Sequence, residues 1–344
     1  MSIEEKIKAG AKDLGFVAVG FTKPESPARY PDFVQWLKEG KQAGMSYLAE
    51  ERSLAARKDP RELLPSCQTI ICLALPYLPV DPKGKEPGQG RIASYALERD
   101  YHQVVTEKLS LLVGKIREIY GQSFEHYACV DTSPILEKYY AQEAGLGWIG
   151  RNSLLINPDY GSWIFLSELL VSIEMTADQP FAYDGCGECQ RCLQACPTQA
   201  ILPNRTIDAR RCLSYLTIEN RGEISDDLKP SVRDWIFGCD ICQNVCPANA
   251  AIAKRQRLKE QEPLFEAFPD LAASLTLSPQ EFKQKYGDTP VWRAKYKGFR
   301  RNVAIAIGNS QQKSFIPLLE KQALSENDAV VLEAIQWALG QLKK

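Results

Sequence analysis

A chain of 344 residues is too long for one small core and suits two or three domains. Its 44% hydrophobic and 25% charged residues are ordinary for a globular protein in water. Forty-two basic against forty-three acidic residues leave a net charge of −1, which excludes a global field for nucleic acid and leaves only local patches.

The opening MSIEEKIKAGAKDLGF reads as an amphipathic helix with Ile3, Ile7 and Leu14 on one side. It lacks a signal peptide's apolar stretch and any twin-arginine signal. No run approaches the roughly 18 apolar residues of a membrane span. The expected compartment is the cytoplasm, with no membrane partner. FVAVGF (16–21) reads as a short strand, YPDFVQWLKE (30–39) as a helix and TIICLAL (69–75) as a buried strand. PVDPKGKEPGQG (79–90) is a Pro/Gly-rich surface loop. Residues 101–120 place Val104, Val105, Leu109, Leu112, Val113, Ile116 and Ile119 near the helical period. HYACVDTSP (126–134) reads as a strand ending at a turn, with Pro134 opening a helix through about Ala144. After GLGWIGRN, SLLINPDYGSWIFLSELLVSI (153–173) reads as two strands joined by the NPDYGS turn. Residues 1–180 are therefore expected to form a mixed α/β domain.

From 181 to about 255 the composition shifts to cysteine, glycine and short helical pieces. Cys186, Cys189, Cys192 and Cys196, followed by Pro197, have the spacing of bacterial ferredoxins, in which the fourth cysteine serves the other cluster. Cys239, Cys242 and Cys246 before Pro247 repeat the pattern without a leading cysteine, which Cys212 replaces. Two four-thiolate sets result: Cys186, Cys189, Cys192 and Cys246, then Cys212, Cys239, Cys242 and Cys196. Two 4Fe–4S clusters in a ferredoxin-like domain are expected. Zinc also takes C-x2-C pairs, but the doubled x3-C-P pattern has no purpose in a zinc ribbon. Cytosolic thiols stay reduced, so disulfides are not expected, and Cys67, Cys72 and Cys129 read as apolar core. Residues 256–344 read as a helical segment resembling a HEAT repeat.

The first 180 residues lack a Rossmann fingerprint, a P-loop and a histidine motif for cobalt: GLGWIG (145–150) follows a helix, and DYHQVV (100–105) ends in valine. RDYH (99–102), VDTSPILEK (130–138), AGLGWIGRNSLLINPDYGSW (144–163), YLTIENRGEI (215–224) and GCDICQNVCP (238–247) together resemble the epoxyqueuosine reductase family across nearly the whole chain. That resemblance implies a cobalamin-binding α/β domain, two 4Fe–4S clusters and kinship with reductive dehalogenases. It implies removal of the epoxide oxygen at the wobble position of tRNA, the last step of queuosine synthesis. The implied partners are tRNAs for aspartate, asparagine, histidine and tyrosine and an external electron donor, with a monomeric enzyme. With two histidines and no cobalt-ligand motif, cobalamin is expected base-off, without a histidine ligand.

The resemblance makes Asp131 the proton donor, kept protonated by desolvation against the corrin; the residues alone favour a helix cap. Arg57 suits a corrin amide or a phosphate, or a solvated surface. Asn152, Leu155 and Leu166 are expected over the corrin face, or in plain core packing for the leucines. Ser214, Tyr215, Asn220 and Asp240 line the gap between cluster and corrin, or close cluster loops. Trp148 reads as a core aromatic, and His102 and His126 as structural. Arg293, Lys295, Lys297, Arg300 and Arg301, interleaved with Trp292, Tyr296 and Phe299, are expected to grip the anticodon stem-loop; a solvated helix face is the alternative. Two other functions remain open: a cobalamin-dependent reductive dehalogenase of small molecules and a non-enzymatic iron–sulfur electron carrier.

Overall fold

A computed structural model describes residues 1–81, 84–250 and 265–344. Its strands in chain order are β1 (Ala18–Thr22), β2 (Thr69–Pro76), β3 (Arg91–Ile92), β4 (His126–Cys129), β5 (Trp148–Ile149), β6 (Leu155–Ile156), β7 (Ile164–Val171) and β8 (Trp235–Phe237). The main sheet is antiparallel throughout, in the order β1-β2-β7-β4. Its central strand β2 is almost unbroken apolar sequence because both faces are covered. Ile71, Leu73, Leu169 and Val171 meet the helices Ile3–Asp13 and Tyr101–Tyr120 on one face. Ile70, Cys72, Ala74 and Leu170 meet Cys129 and the helix Glu137–Glu143 on the other, as the two-residue period of a strand requires.

Two expectations for this half need correction. Residues 153–173 hold two strands, but these do not pair with each other. β6 pairs with β5, whereas β7 pairs with β2 and β4. The NPDYGS segment closes on itself, Asn157 and Gly161 exchanging two backbone bonds of 2.8 Å, and so carries the chain from ribbon to sheet. The helix expected from Pro134 begins only at Glu137. Residues 130–136 form a tight loop instead, with Asp131 at φ +47°.

The largest core joins distant parts of the chain: residues 92–97, the region 213–237 and the C-terminal helices share it. At its centre lies the helix Lys295–Asn309, buried without a break from Gly298 to Gly308. It packs against the helix Ala329–Leu342, which also meets Ile316–Ser325. Gly308 permits that contact, since a Cβ there would stand 2.7 Å from the Trp337 ring.

A helix packed on every side leaves no solvated stripe, and this overturns the expected roles of Arg300 and Arg301. Arg301, 1% exposed, donates to the carbonyls of Leu216, Asn220 and Gly222. Arg300, 8% exposed, donates to the Leu275 carbonyl and to Gln322 and pairs with Glu326. Phe299 is fully buried, and Trp292 and Tyr296 pack on Phe282 at 5.6 and 5.8 Å. Those rings are core, not stacking platforms. Arg293, Lys295 and Lys297 stay exposed, with Arg293 on Glu219 and Lys297 3.3 Å from Asp328. Arg301→Ala is expected to cost on the order of 2 kcal/mol, because buried carbonyls lose their donor. A denaturant midpoint that falls at constant slope checks this. Arg301→Lys is expected not to restore it, since an ammonium cannot reproduce the guanidinium fork.

Candidate active site

The eight cysteines of the two motifs fall in two neighbourhoods. Cys186, Cys189, Cys192 and Cys246 line one cavity of about 60 Å³ beside Trp148, Arg151 and Asn152. In the second group burial raises the thiols of Cys212, Cys239 and Cys242, and neighbouring thiolates add to it: Cys196 on Cys212, Cys242 on Cys239, and Cys212 on Cys242. The short helices Arg191–Ala195 and Ile241–Asn244 pack against each other, which carries each Pro-flanked cysteine across to the other group. Gly238 makes the approach to Cys239 possible: φ is +66°, and a Cβ would stand 2.5 Å from Ala93. Among the described residues no three His, Cys, Asp or Glu converge tightly enough for a single metal ion. Trp148 is buried as a core aromatic, stacked on Phe181 at 5.8 Å.

A second constellation lies at the start of the long helix Tyr101–Tyr120. Asp100 caps that helix and accepts from the His102 amide, which fixes the first turn. His102 Nδ1 then lies 2.6 Å from Asp100 and its Nε2 3.3 Å from Asp131. Burial opposes a charge on this ring, but the hydrogen bonds to Asp100 and Asp131 outweigh it and raise His102 from 6.5 to about 9. For Asp131, burial pulls upward, yet the bonds from His102 and Tyr101 and the His102 charge hold the carboxyl below its ordinary value.

The expectation of a protonated Asp131 concerns a carboxyl covered by a corrin; in the open cleft its charged form is favoured. Its side chain is 58% exposed in the open cleft, so desolvation does not neutralise it. The two hydrogen bonds favour the charged ring of His102, which meets Asp131 directly. Asp131 is no helix cap, since Leu136 precedes the helix at Glu137 without a side-chain cap. Instead the Asp131 amide donates to Glu137 Oε1 at 2.8 Å. Burial and the Asp131 charge push Glu137 up to about 8. Glu137 and His102 both stand inside motifs legible in the sequence, but only the loop geometry shows them converging on Asp131.

Two histidines make the charge on His102 easy to read by NMR. His126, lowered by burial and by Arg117, is expected to titrate below 6.5, and His102 near 9. Because the folded value of His102 exceeds its unfolded one, the pair stabilises the fold fully below about pH 6.5. That contribution is lost as pH rises through about 9. An unshifted His102 midpoint would contradict the pair.

Other expected site residues divide into two kinds. Arg57 is 7% exposed and lies over Phe33 at 5.5 Å, with no carboxylate at ion-pair distance among the described residues. It is not a solvated surface arginine. Buried Asn152 likewise leaves its Nδ2 without a partner. Leu155 is core and Leu166 packs on the same cluster, as plain packing predicts. Ser214 and Tyr215 lie in the helix after Cys212, where the Tyr215 hydroxyl accepts from the Gly44 amide at 2.8 Å. Asn220 closes a turn with Gly222 and Glu223 and so departs from the expected lining role. Buried Asp240 accepts from the Ser94 amide and hydroxyl, both at 2.8 Å, and burial pushes it up to about 6. A cavity of about 340 Å³ opens between Phe33, Trp36, Leu136, Glu137, Lys138, Ser153 and Arg205.

The family described as "Epoxyqueuosine reductase QueG, DUF1730" matches residues 57–132, from Arg57 to just past Asp131. An epoxyqueuosine reductase of Pseudomonas aeruginosa is 37% identical, covering 98% of this chain and 94% of that protein. This chain belongs to the epoxyqueuosine reductase family. The "4Fe-4S double cluster binding domain" matches residues 185–249, which hold all eight cysteines of the two groups. Solved epoxyqueuosine reductases share the fold. One from Bacillus subtilis, with the loop of a catalytic aspartate swung out of the active site, has a TM-score of 0.88 at 28% identity, covering 99% of this chain and 90% of that one. Another, with an epoxyqueuosine-modified tRNA-Tyr stem loop, has a TM-score of 0.84 at 26% identity and covers 99% of both chains. No helix among the described residues of this epoxyqueuosine reductase is long and apolar enough to cross a membrane.

Proposed function

We propose that this chain, an oxidoreductase of tRNA modification, reduces epoxyqueuosine to queuosine at the wobble position, with Asp131 as the acid that meets the epoxide oxygen. The observation that carries the reading is the Asp100–His102–Asp131 line, with Tyr95 acted on by the charges of both Asp131 and Asp240, the residue between Cys239 and its neighbour Cys242. Removal of an epoxide oxygen as water takes two electrons and two protons. Bound cobalamin would supply strongly reducing cobalt chemistry there, with two 4Fe–4S clusters as its electron source.

The residues present fit a corrin. Its rim is a ring of amide groups; Asn152 Nδ2 is a buried donor without a partner, and buried Arg57 donates to the Ser53 carbonyl at 3.3 Å but meets no carboxylate among the described residues. A buried unpaired donor costs about 1–3 kcal/mol, which an amide oxygen would relieve. No histidine other than His102 and His126 exists. His102 is held between two carboxylates and His126 lies on the edge strand β4, which supports the reading of cobalamin bound base-off, without a histidine ligand.

Asp131 becomes an acid when the cleft is covered. Excluding water disfavours both charges of the His102–Asp131 pair, and a proton passing from Nε2 to the carboxyl removes them together. Asp100 holds the ring in place for that transfer. The aspartate loop that swings in a relative supports a mobile acid of this kind. For tRNA, the exposed Arg293, Lys295 and Lys297 remain the candidate phosphate contacts, carried on a HEAT-like tail. Arg293 stands closest to the chemistry, since its charge acts on Asp131. The tRNAs concerned are those for aspartate, asparagine, histidine and tyrosine, met in the cytoplasm by a monomer fed from an external donor.

Protein reconstituted anaerobically with iron, sulfide and cobalamin, then reduced, is expected to convert epoxyqueuosine tRNA into queuosine tRNA on nucleoside analysis. Unchanged epoxyqueuosine with every reductant tried would overturn the reading.

A further inference from the structure

The loop 130–136, between β4 and the helix Glu137–Glu143, holds Asp131 in a form that its backbone resists. At φ +47° the Cβ of an L-residue crowds its own backbone. The Thr132 amide donates to the Val130 carbonyl and closes a three-residue turn around Asp131, a kind that is rare in its left-handed form. The loop's own packing does little to offset this. Only Val130 and Ile135 enter the core, whereas Asp131 and Thr132 are exposed. Two side chains from outside the turn take hold of Asp131. His102 Nε2 meets its carboxylate at 3.3 Å, and Glu137 Oε1 accepts from its amide at 2.8 Å. The first contact exists only where the Asp131 side chain already points at His102. The second is made to the backbone, and so fixes the turn itself. Glu137 stands on firm ground for this, at the start of a helix whose Tyr140 and Ala141 are buried and which packs on β2 and β7.

We propose that Glu137 is a positioning residue of the active site: its carboxyl oxygen clasps the Asp131 amide, holds the turn in its strained form and so keeps the Asp131 carboxyl at His102. The assignment rests on the reading in which Asp131 delivers a proton to the epoxide oxygen. Glu137 gives up no proton in it and acts only through where Asp131 stands. Accepting from an amide takes an oxygen with a free lone pair and needs no charge. The clasp therefore works with Glu137 neutral, the form that burial favours at pH 7. Without it the turn is free to relax, and a carboxylate already 58% exposed moves away from His102 into water. Two substitutions separate a clasp from an acid. Glutamine keeps the accepting oxygen and has no acid proton, whereas alanine has neither.

The test compares wild type, Glu137→Gln and Glu137→Ala, each purified anaerobically as the whole chain with clusters intact. Two readouts need no substrate: hydrogen exchange at the Asp131 amide and the NMR titration of His102. In Glu137→Ala the amide is expected to exchange about tenfold faster, the weight of one net hydrogen bond. The His102 midpoint is expected to fall below about 9, because Asp131 is lost as a partner and Asp100 alone remains. On epoxyqueuosine tRNA at pH 7, kcat is expected to fall by up to about tenfold with KM unchanged. Glu137→Gln is expected to match wild type in all three. Turnover in Glu137→Gln as low as in Glu137→Ala, with exchange and titration at wild-type values, makes Glu137 an acid and overturns the clasp. So does a Glu137→Ala protein whose Asp131 amide stays protected and whose His102 still titrates near 9. Should Glu137→Ala not accumulate, Glu137→Asp, which withdraws the oxygen by one methylene, is read in its place on the same terms. Wild type that forms no queuosine overturns the reading of the reaction instead, and exchange and titration still decide the clasp.

Discussion

Asp131→Asn is expected to reduce turnover of epoxyqueuosine tRNA by roughly 10²–10⁴-fold, the usual weight of a general acid. The substitution keeps the side-chain shape at a position 58% exposed, so packing changes little and iron content and tRNA affinity should hold. What it removes is the acceptor for the His102 proton. An amide cannot take a proton from Nε2 and then release it to an oxygen. It also deletes one of the two negative partners that raise His102, so the ring should titrate below its wild-type value of about 9. That second readout separates loss of the acid from damage to the loop. Near-normal turnover with a shifted His102 would remove Asp131 from the chemistry while keeping it as a charge partner.

An equally large loss should follow removal of a single crossing cysteine. Cys246→Ala should damage the same cluster as Cys186→Ala, because both thiols line the cavity beside Trp148. Cys196→Ala should behave like Cys239→Ala, since Cys196 and Cys239 both act on Cys212 or are acted on by it. Each variant should lose about half its cluster iron and nearly all turnover, because a four-thiolate cube with one ligand missing is labile. Low-temperature paramagnetic resonance of the reduced proteins identifies the surviving cluster. If Cys246→Ala and Cys239→Ala leave the same survivor, the partition is wrong.

Which parts of this molecule the sequence discloses follows from what each part depends on. A thiol group declares itself by spacing, because three irons must be reached from one short loop, so the eight cysteines stand out in the sequence. The same holds for β2 and the helix Tyr101–Tyr120, whose apolar periods reflect burial on two faces and on one. Arg300 and Arg301 misled because a charged residue gives no sign of whether its partner is water or a carbonyl far away in the chain. Leu216 is 85 residues from Arg301. The strands in 153–173 misled because a turn signal fixes a reversal, not which strands become neighbours. His102 was visible, yet its role depends on Asp131, 29 residues away on another element.

Arg301 and Asn302 also bear on how the protein is made. Between them they bind the carbonyls of Leu216, Thr217, Asn220, Gly222 and Ile236, the backbone that follows Cys212 and precedes Cys239. The ribosome releases Cys186 more than a hundred residues before it releases Arg301. The core that holds residues 213–237 is therefore completed only when the final helices have been made.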